Sequence, residues 1–241
     1  MRFVPAAPLT ILDPVWTGAR GTRKHGYLVF DTLFGIDETL TVQPQMAAGH
    51  TVDDDGKRWT ITLRDKLRFH DGEPVLARDV VASIKRFCAR DAFAQNLAAI
   101  TDEISAPDDK RIVVRLKKPS PHLARALAGA TVDVPAVMPE RLANTDPFKA
   151  ITEMVGSGPF RLVANEYSAG HRAVYEKFQD YVPRDDRKAS FLAGAKTVHV
   201  DRVEPPFPME PRPRRRFTPG KSIGSSCRRS TCCPTWRVTR S

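Results

Sequence analysis

An imidazole beside a carboxylate can move protons or hold a metal, and His70-Asp71 offers that pair. Neither a second His nor an acid stands at ligand spacing from it, so a structural turn is the expected reading. His25, His50, His122, His171 and His199 are scattered without pair spacing. Asp53-Asp54-Asp55-Gly56 suggests calcium, but a calcium loop needs alternating acids and a distant Glu. A solvated hairpin tip is expected there instead. Gly156-Ser157-Gly158-Pro159 suggests a phosphate cradle. It lacks the G-x-x-x-x-G-K pattern, and Pro159 removes an amide donor that such a loop would use. Lys221-Ser222 after Gly220 mimics the end of that pattern, with Arg215 where its first Gly belongs. No G-x-S-x-G elbow is present, and Cys232-Cys233 lacks the C-x-x-C spacing of a zinc site. No catalytic residue, metal ligand or cofactor is expected, and an enzyme is the least supported class.

The elements around these residues carry more information. Trp59, Ile61 and Leu63 alternate with Thr60, Thr62 and Arg64, the period of a half-buried strand. Leu67 and Phe69 repeat the pattern as a second strand, and Asp71-Gly72 supplies a turn. The period then changes. Val80, Val81, Ile84, Phe87 and Cys88 form one apolar helix face, on which Cys88 is expected as a buried small hydrophobe. Asp79 suits the positive end of the helix dipole. Leu76 is a poor N-cap, weaker than Thr or Asn by about 1 kcal/mol.

The order Trp59-x-Ile61-x-Leu63-Arg64, Phe69-His70-Asp71-Gly72-x-Pro74-Val75 and Ala77-x-Asp79-Val80 resembles the signature of family 5 solute-binding proteins. These are the extracytoplasmic peptide- and oligopeptide-binding components of ABC transporters. Asp65-Lys66 and Leu76 depart from the usual pattern. Gly156-Ser157-Gly158-Pro159-Phe160 resembles the family's second block, where the chain returns from a small inserted lobe to the main one. Val42-Gln43-Pro44-Gln45-Met46-Ala47 and Glu176 to Tyr181 resemble further segments.

Between these blocks, Leu9 to Leu12 reads as a short strand stopped by Asp13-Pro14, and Val15 to His25 as a loop. Tyr27, Leu28, Val29, Leu33 and Phe34 read as a helix closed by Gly35. Ile104 to Leu116 holds a hairpin turning at Pro107 to Lys110. Ser120-Pro121 opens a helix that Gly129 closes, and Pro139-Glu140 begins another. Phe160 to Tyr167 is expected to pair with Arg172 to Phe178, with a strand following at His199 to Val203.

The net charge of +10 is unevenly placed. From Pro205 to Ser241 nine Lys/Arg face one acid, Glu210, leaving the first 204 residues at +2. Seven of the twenty prolines and three of the four cysteines lie in the same stretch. It is expected to be disordered, since it cannot bury enough apolar surface to offset its chain entropy. It reads as an out-of-frame translation on a shortened gene, or alternatively as a basic arm for nucleic acid or anionic surfaces.

The resemblance implies an α/β fold of the periplasmic-binding-protein type II kind, incomplete here. Residues 1–36 and 152–204 would belong to the main lobe, 37–151 to the small inserted α+β lobe, and 205–241 to the tail. It implies capture of a peptide or similar small solute for ABC permease subunits, by a monomer without nucleic acid, and without chemistry. In the family the loop after the first strand borders the ligand cleft, which makes Trp16, Thr17, Gly18, Ala19 and Arg20 the candidate contacts. The resemblance implies the periplasm, whereas Met1 to Pro5 shows no signal-peptide run and by itself implies the cytoplasm. A start codon placed downstream of the true one would reconcile the two.

Overall fold

A computed structural model describes residues 7–129 and 133–205. Apart from Pro205, the basic tail lies outside them. In chain order the elements are α1 (Arg20–Val29), β1 (Phe34–Ile36), β2 (Val42–Pro44), β3 (Ala47–Asp53), β4 (Arg58–Leu63), α2 (Ala77–Arg90), α3 (Ala92–Ile100), β5 (Thr101–Ser105) and β6 (Arg111–Leu116). They continue with α4 (Leu123–Ala126), α5 (Glu140–Ala143), β7 (Phe160–Leu162), β8 (Tyr175–Lys177) and β9 (Arg202–Val203). The strands form three antiparallel sheets: β1-β2, β3-β4-β6-β5 and β7-β8-β9.

The four-stranded sheet follows from alternation. Trp59, Ile61 and Leu63 are buried, and β6 sets Val114 opposite Trp59 and Ile112 opposite Ile61. The aspartates of the β3–β4 connection are exposed and form the hairpin tip. Helix α2 packs against β5 and β6, with Val80, Val81, Ile84, Phe87 and Cys88 all buried. Burial pushes the Cys88 thiol up to about 11, as expected of an inert core cysteine. At the start of α2, the Asp79 carboxylate accepts the Leu76 amide at 2.9 Å and the Glu140 amide at 2.8 Å. That joins α2 to α5 although Leu76 itself caps nothing.

Several local expectations change. Helix α1 starts at Arg20, inside the stretch expected as a loop, and ends at Val29. Its buried face is Gly21, Thr22, His25, Gly26 and Val29, too small and polar to show an apolar period. The segment expected to complete that helix is instead extended: Gly35 lies within β1, and Phe30 to Ile36 is buried throughout. Such continuous burial erases the period that separates strand from helix. Leu9 to Leu12 joins no sheet among the described residues. Its carbonyls are met by scattered donors instead, Leu9 O by the Gly170 amide and the Tyr167 hydroxyl, Thr10 O by the same hydroxyl and Ile11 O by the Thr22 hydroxyl. The strand expected at Leu67 and Phe69 is reduced to one bridge, Arg68 with Pro74, around a turn where Gly72 takes φ +91°. Helix α4 begins at Leu123, later than Ser120-Pro121 suggested, and Gly129 follows it at φ +71°. The hairpin after Phe160 forms, with β7 paired to β8 and one further bridge, Ser168 with Arg172, near its turn.

Candidate functional site

His70 and the Gly156–Pro159 block, set apart in the sequence, meet in the structure. Gly156 N–H donates to His70 Nδ1 at 3.3 Å, and His70 Nε2–H donates to Gly158 O at 3.0 Å. The His70 amide donates to Gly156 O at 2.9 Å. Both ring nitrogens are thereby used, with the proton on Nε2. The ring also meets Phe178 edge-on at 4.9 Å. Burial lowers the imidazole to about 4, so it is neutral at pH 7. Asp71 pairs instead with Arg141 at 3.2 Å. The pair therefore works as a brace.

The glycine block is equally committed. Gly158 N–H donates to Val29 O at 2.8 Å, and Ser157 Oγ accepts the Asp31 amide at 3.1 Å. A Cβ on Gly156 would sit 1.9 Å from Val29 O, so the backbones of the two segments touch as only glycine allows. The two glycine amides are thus already partnered, and a phosphate cradle is absent here. Among the described residues no group of three His, Cys, Asp or Glu could hold a metal ion.

The candidate loop lies at a different junction. Trp16, Thr17 and Gly18 are half-buried, and Ala19 and Arg20 are exposed, with Arg20 forming the first residue of α1. Just before them, Asp13 is fully buried and paired with buried Arg86 of α2 at 2.8 Å. Oδ1 of Asp13 accepts the amides of Val15 at 2.9 Å and Trp16 at 3.3 Å, while Oδ2 accepts the Ile151 amide at 3.0 Å. Arg86 also donates to the carbonyls of Thr145, Asp146 and Lys149. One turn later on α2, the Arg90 guanidinium lies 4.6 Å from the Trp16 ring centre and 5.2 Å from that of Phe148. Its Nη2 donates to Trp16 O at 3.2 Å. Burial, and next the charge of Asp91, holds the Asp133 carboxyl above its ordinary value, against the pull of Arg90 and Arg23.

Asp13, Arg86, Arg90 and Phe148 were not singled out from the sequence. Asp79, Ser83, Arg86 and Arg90 fall at i, i+4, i+7 and i+11, a polar stripe at helical spacing beside the apolar one. That stripe was the available signal.

A model of the family described as bacterial extracellular solute-binding proteins, family 5 Middle, matches residues 41–207. The chain belongs to family 5 of the bacterial extracellular solute-binding proteins. Within this family it is similar to the probable peptide ABC transporter periplasmic-binding protein y4tO of Sinorhizobium fredii. The two are 38% identical over 195 residues, covering 81% of this chain and 36% of y4tO. It is also similar to the probable D,D-dipeptide-binding periplasmic protein DdpA of Escherichia coli, at 34% identity over 135 residues, covering 53% of this chain and 25% of DdpA. The chain thus spans about a third or less of the length of these two curated relatives. Among solved structures, AgaA of A. tumefaciens in complex with agropinic acid superposes with a TM-score of 0.66. Identity is 24%, covering 83% of this chain and 38% of AgaA. The oligopeptide-binding protein AppA of Bacillus subtilis with a nonapeptide gives 0.65 at 18% identity, with the same coverage. These likenesses place the described residues in the type II periplasmic-binding-protein fold. Among the described residues, no helix is long and apolar enough to cross a membrane.

Proposed function

We propose that this chain supplies one wall of a solute-capture cleft serving an ABC transporter, with peptides or similar small solutes as cargo. Family membership over residues 41–207 carries the reading, and relatives named for peptide and D,D-dipeptide binding support the cargo class. The wall is the loop Trp16 to Arg20, where Ala19 and Arg20 are exposed above an anchored Trp16. Capture requires no chemistry, and His70, the best acid–base candidate, is held neutral as a brace. A membrane permease is the partner and the periplasm the compartment; the protein acts as a monomer.

We further assign residues 1–36 and 152–204 to the main lobe and 37–151 to the small one. In support, the β3-β4-β6-β5 sheet and α2 to α5 all fall between 37 and 151, whereas α1 packs with β7 outside that range.

A cleft buries most of its ligand's surface. In the two relatives, about two thirds or more of the length has no counterpart in these 241 residues, so these residues by themselves would enclose a solute less fully than those proteins do. Each 1.4 kcal/mol forfeited is about tenfold in affinity. Titration calorimetry with di- to pentapeptides should therefore give binding weaker than micromolar. Micromolar binding by residues 1–241 would overturn the claim that this wall alone captures solute weakly. A permease-docking role is tested by adding the chain to vesicles bearing the permease and ATPase subunits of a peptide ABC transporter. Stimulated ATP hydrolysis supports the role, and unchanged hydrolysis rejects it.

A further inference from the structure

The solute-contact reading leaves open how an exposed loop holds a fixed shape. Trp16 is fixed at three points. Its amide donates to Asp13 Oδ1, its carbonyl accepts from Arg90, and its ring lies against the Arg90 guanidinium. Arg86 and Arg90 stand four residues apart on α2, hence one above the other on the same face. Arg86 grips the Asp13 carboxylate from which the loop departs, and Arg90 grips the loop itself. The segment 145–151 closes the arrangement from the far side. Its carbonyls hold Arg86, its Phe148 ring faces Arg90, and its Ile151 amide reaches Asp13.

We infer that Arg86 and Arg90 form a two-arginine clamp whose role is to pre-order the Trp16–Arg20 loop, with Arg90 as the positioning residue. Two features separate this from ordinary core stabilisation. Phe148 is 65% exposed, so its contact with Arg90 buries little apolar surface. Arg90 Nε is itself buried without a hydrogen-bond partner. Burying an unpartnered donor is unfavourable, and the planar guanidinium lying against Trp16 and near Phe148 is what offsets it. Lysine cannot substitute, because a compact ammonium has no plane to stack. A loop ordered in advance loses less conformational entropy when solute arrives, which raises affinity without adding a contact.

The functional meaning rests on the loop being a solute contact, but the ordering can be measured without ligand. Amide hydrogen exchange on the full chain should show residues 15–20 exchanging at least ~10-fold faster in Arg90→Ala, the equivalent of about 1.4 kcal/mol of lost local protection. Amides of β4 and β6 should keep their rates, and Arg90→Lys should behave like Arg90→Ala. Unchanged protection of 15–20, an equal loss in β4 and β6, or full rescue by lysine overturns the clamp. A second arm uses trialanine as the probe in calorimetry. Arg20→Ala should weaken its binding while leaving loop exchange as in the parent chain. If Arg20→Ala leaves trialanine binding unaltered, the contact reading fails and the exchange result still decides the clamp.

Discussion

Helix α2 turns two faces to the rest of the molecule, and they hold it by different physics. One face, Val80, Val81, Ile84, Phe87 and Cys88, is buried by apolar packing. The other, Asp79, Ser83 and Arg86 with Arg90 at its end, is buried almost as completely but through directed bonds. Ser83 Oγ donates to Asp79 O and accepts the Met138 amide at 3.0 Å. Apolar packing tolerates exchange of similar volumes. A buried charge does not tolerate loss of its partner. The first face builds a sheet-and-helix layer; the second fixes where three distant segments stand relative to it.

The comparison is broken most sharply at Arg86. Arg86→Met should cost about 3–5 kcal/mol, because Asp13 would remain buried and unpaired and the carbonyls around it would lose their donor. Urea unfolding followed by far-UV circular dichroism measures this. A cost below 1 kcal/mol would show that the polar face is no more than filler.

On the sheet side, Ile61→Ala should cost about 2–4 kcal/mol through lost burial and a residual cavity. Unlike Arg86→Met, it should leave exchange at residues 15–20 in step with the rest of the chain. A selective loosening of that loop would erase the distinction between the faces.

Acid should act on the polar junctions before the apolar layer. His70 is lowered to about 4 and His25 to about 3, each chiefly by burial. Next for His70 is its bond to the Gly158 carbonyl, which opposes the fall, with Arg161 and Asp71 as the charges that act on it. Both histidines take up protons near pH 6.5 when unfolded, so the unfolded chain binds more protons than the native one between about 6.5 and 4. Stability is then full above about pH 6.5 and falls as pH drops through that window, by up to ~1.4 kcal/mol per unit for each histidine. Unfolding midpoints at pH 7.5, 6 and 5 test the slope. His25→Asn should remove about half of it, since only its Nδ1 has a partner, the Tyr175 hydroxyl at 3.0 Å.

The smallest effect concerns the helix start that the two faces share. Leu76 makes no side-chain cap, and Leu76→Ser should gain about 1 kcal/mol by offering an oxygen to the first turn. Thermal denaturation reads the gain. A loss would mean that Leu76 contributes more by packing than a cap could return.

Strand β4, the β5–β6 hairpin and the apolar face of α2 were legible from local period and turn residues, whereas β3 is mostly exposed and shows no such period. Trp59, Ile61 and Leu63 announce themselves two residues apart. Helix α1 was misplaced because close approach, served by Gly21 and Gly26, leaves no apolar period to read. The candidate loop was proposed by resemblance, whereas its anchors were not read, since Asp13 and Arg86 are 73 residues apart.

By itself the sequence pointed to the family and determined strand β4, the hairpin between residues 104 and 116 and the apolar face of α2, for those rest on residue order and short-range periodicity. Only the tertiary structure decided that His70 braces Gly156 and Gly158, and that Asp13 meets Arg86 beneath Trp16. Directed bonds between buried polar groups depend on where distant segments come together, and no local period encodes that.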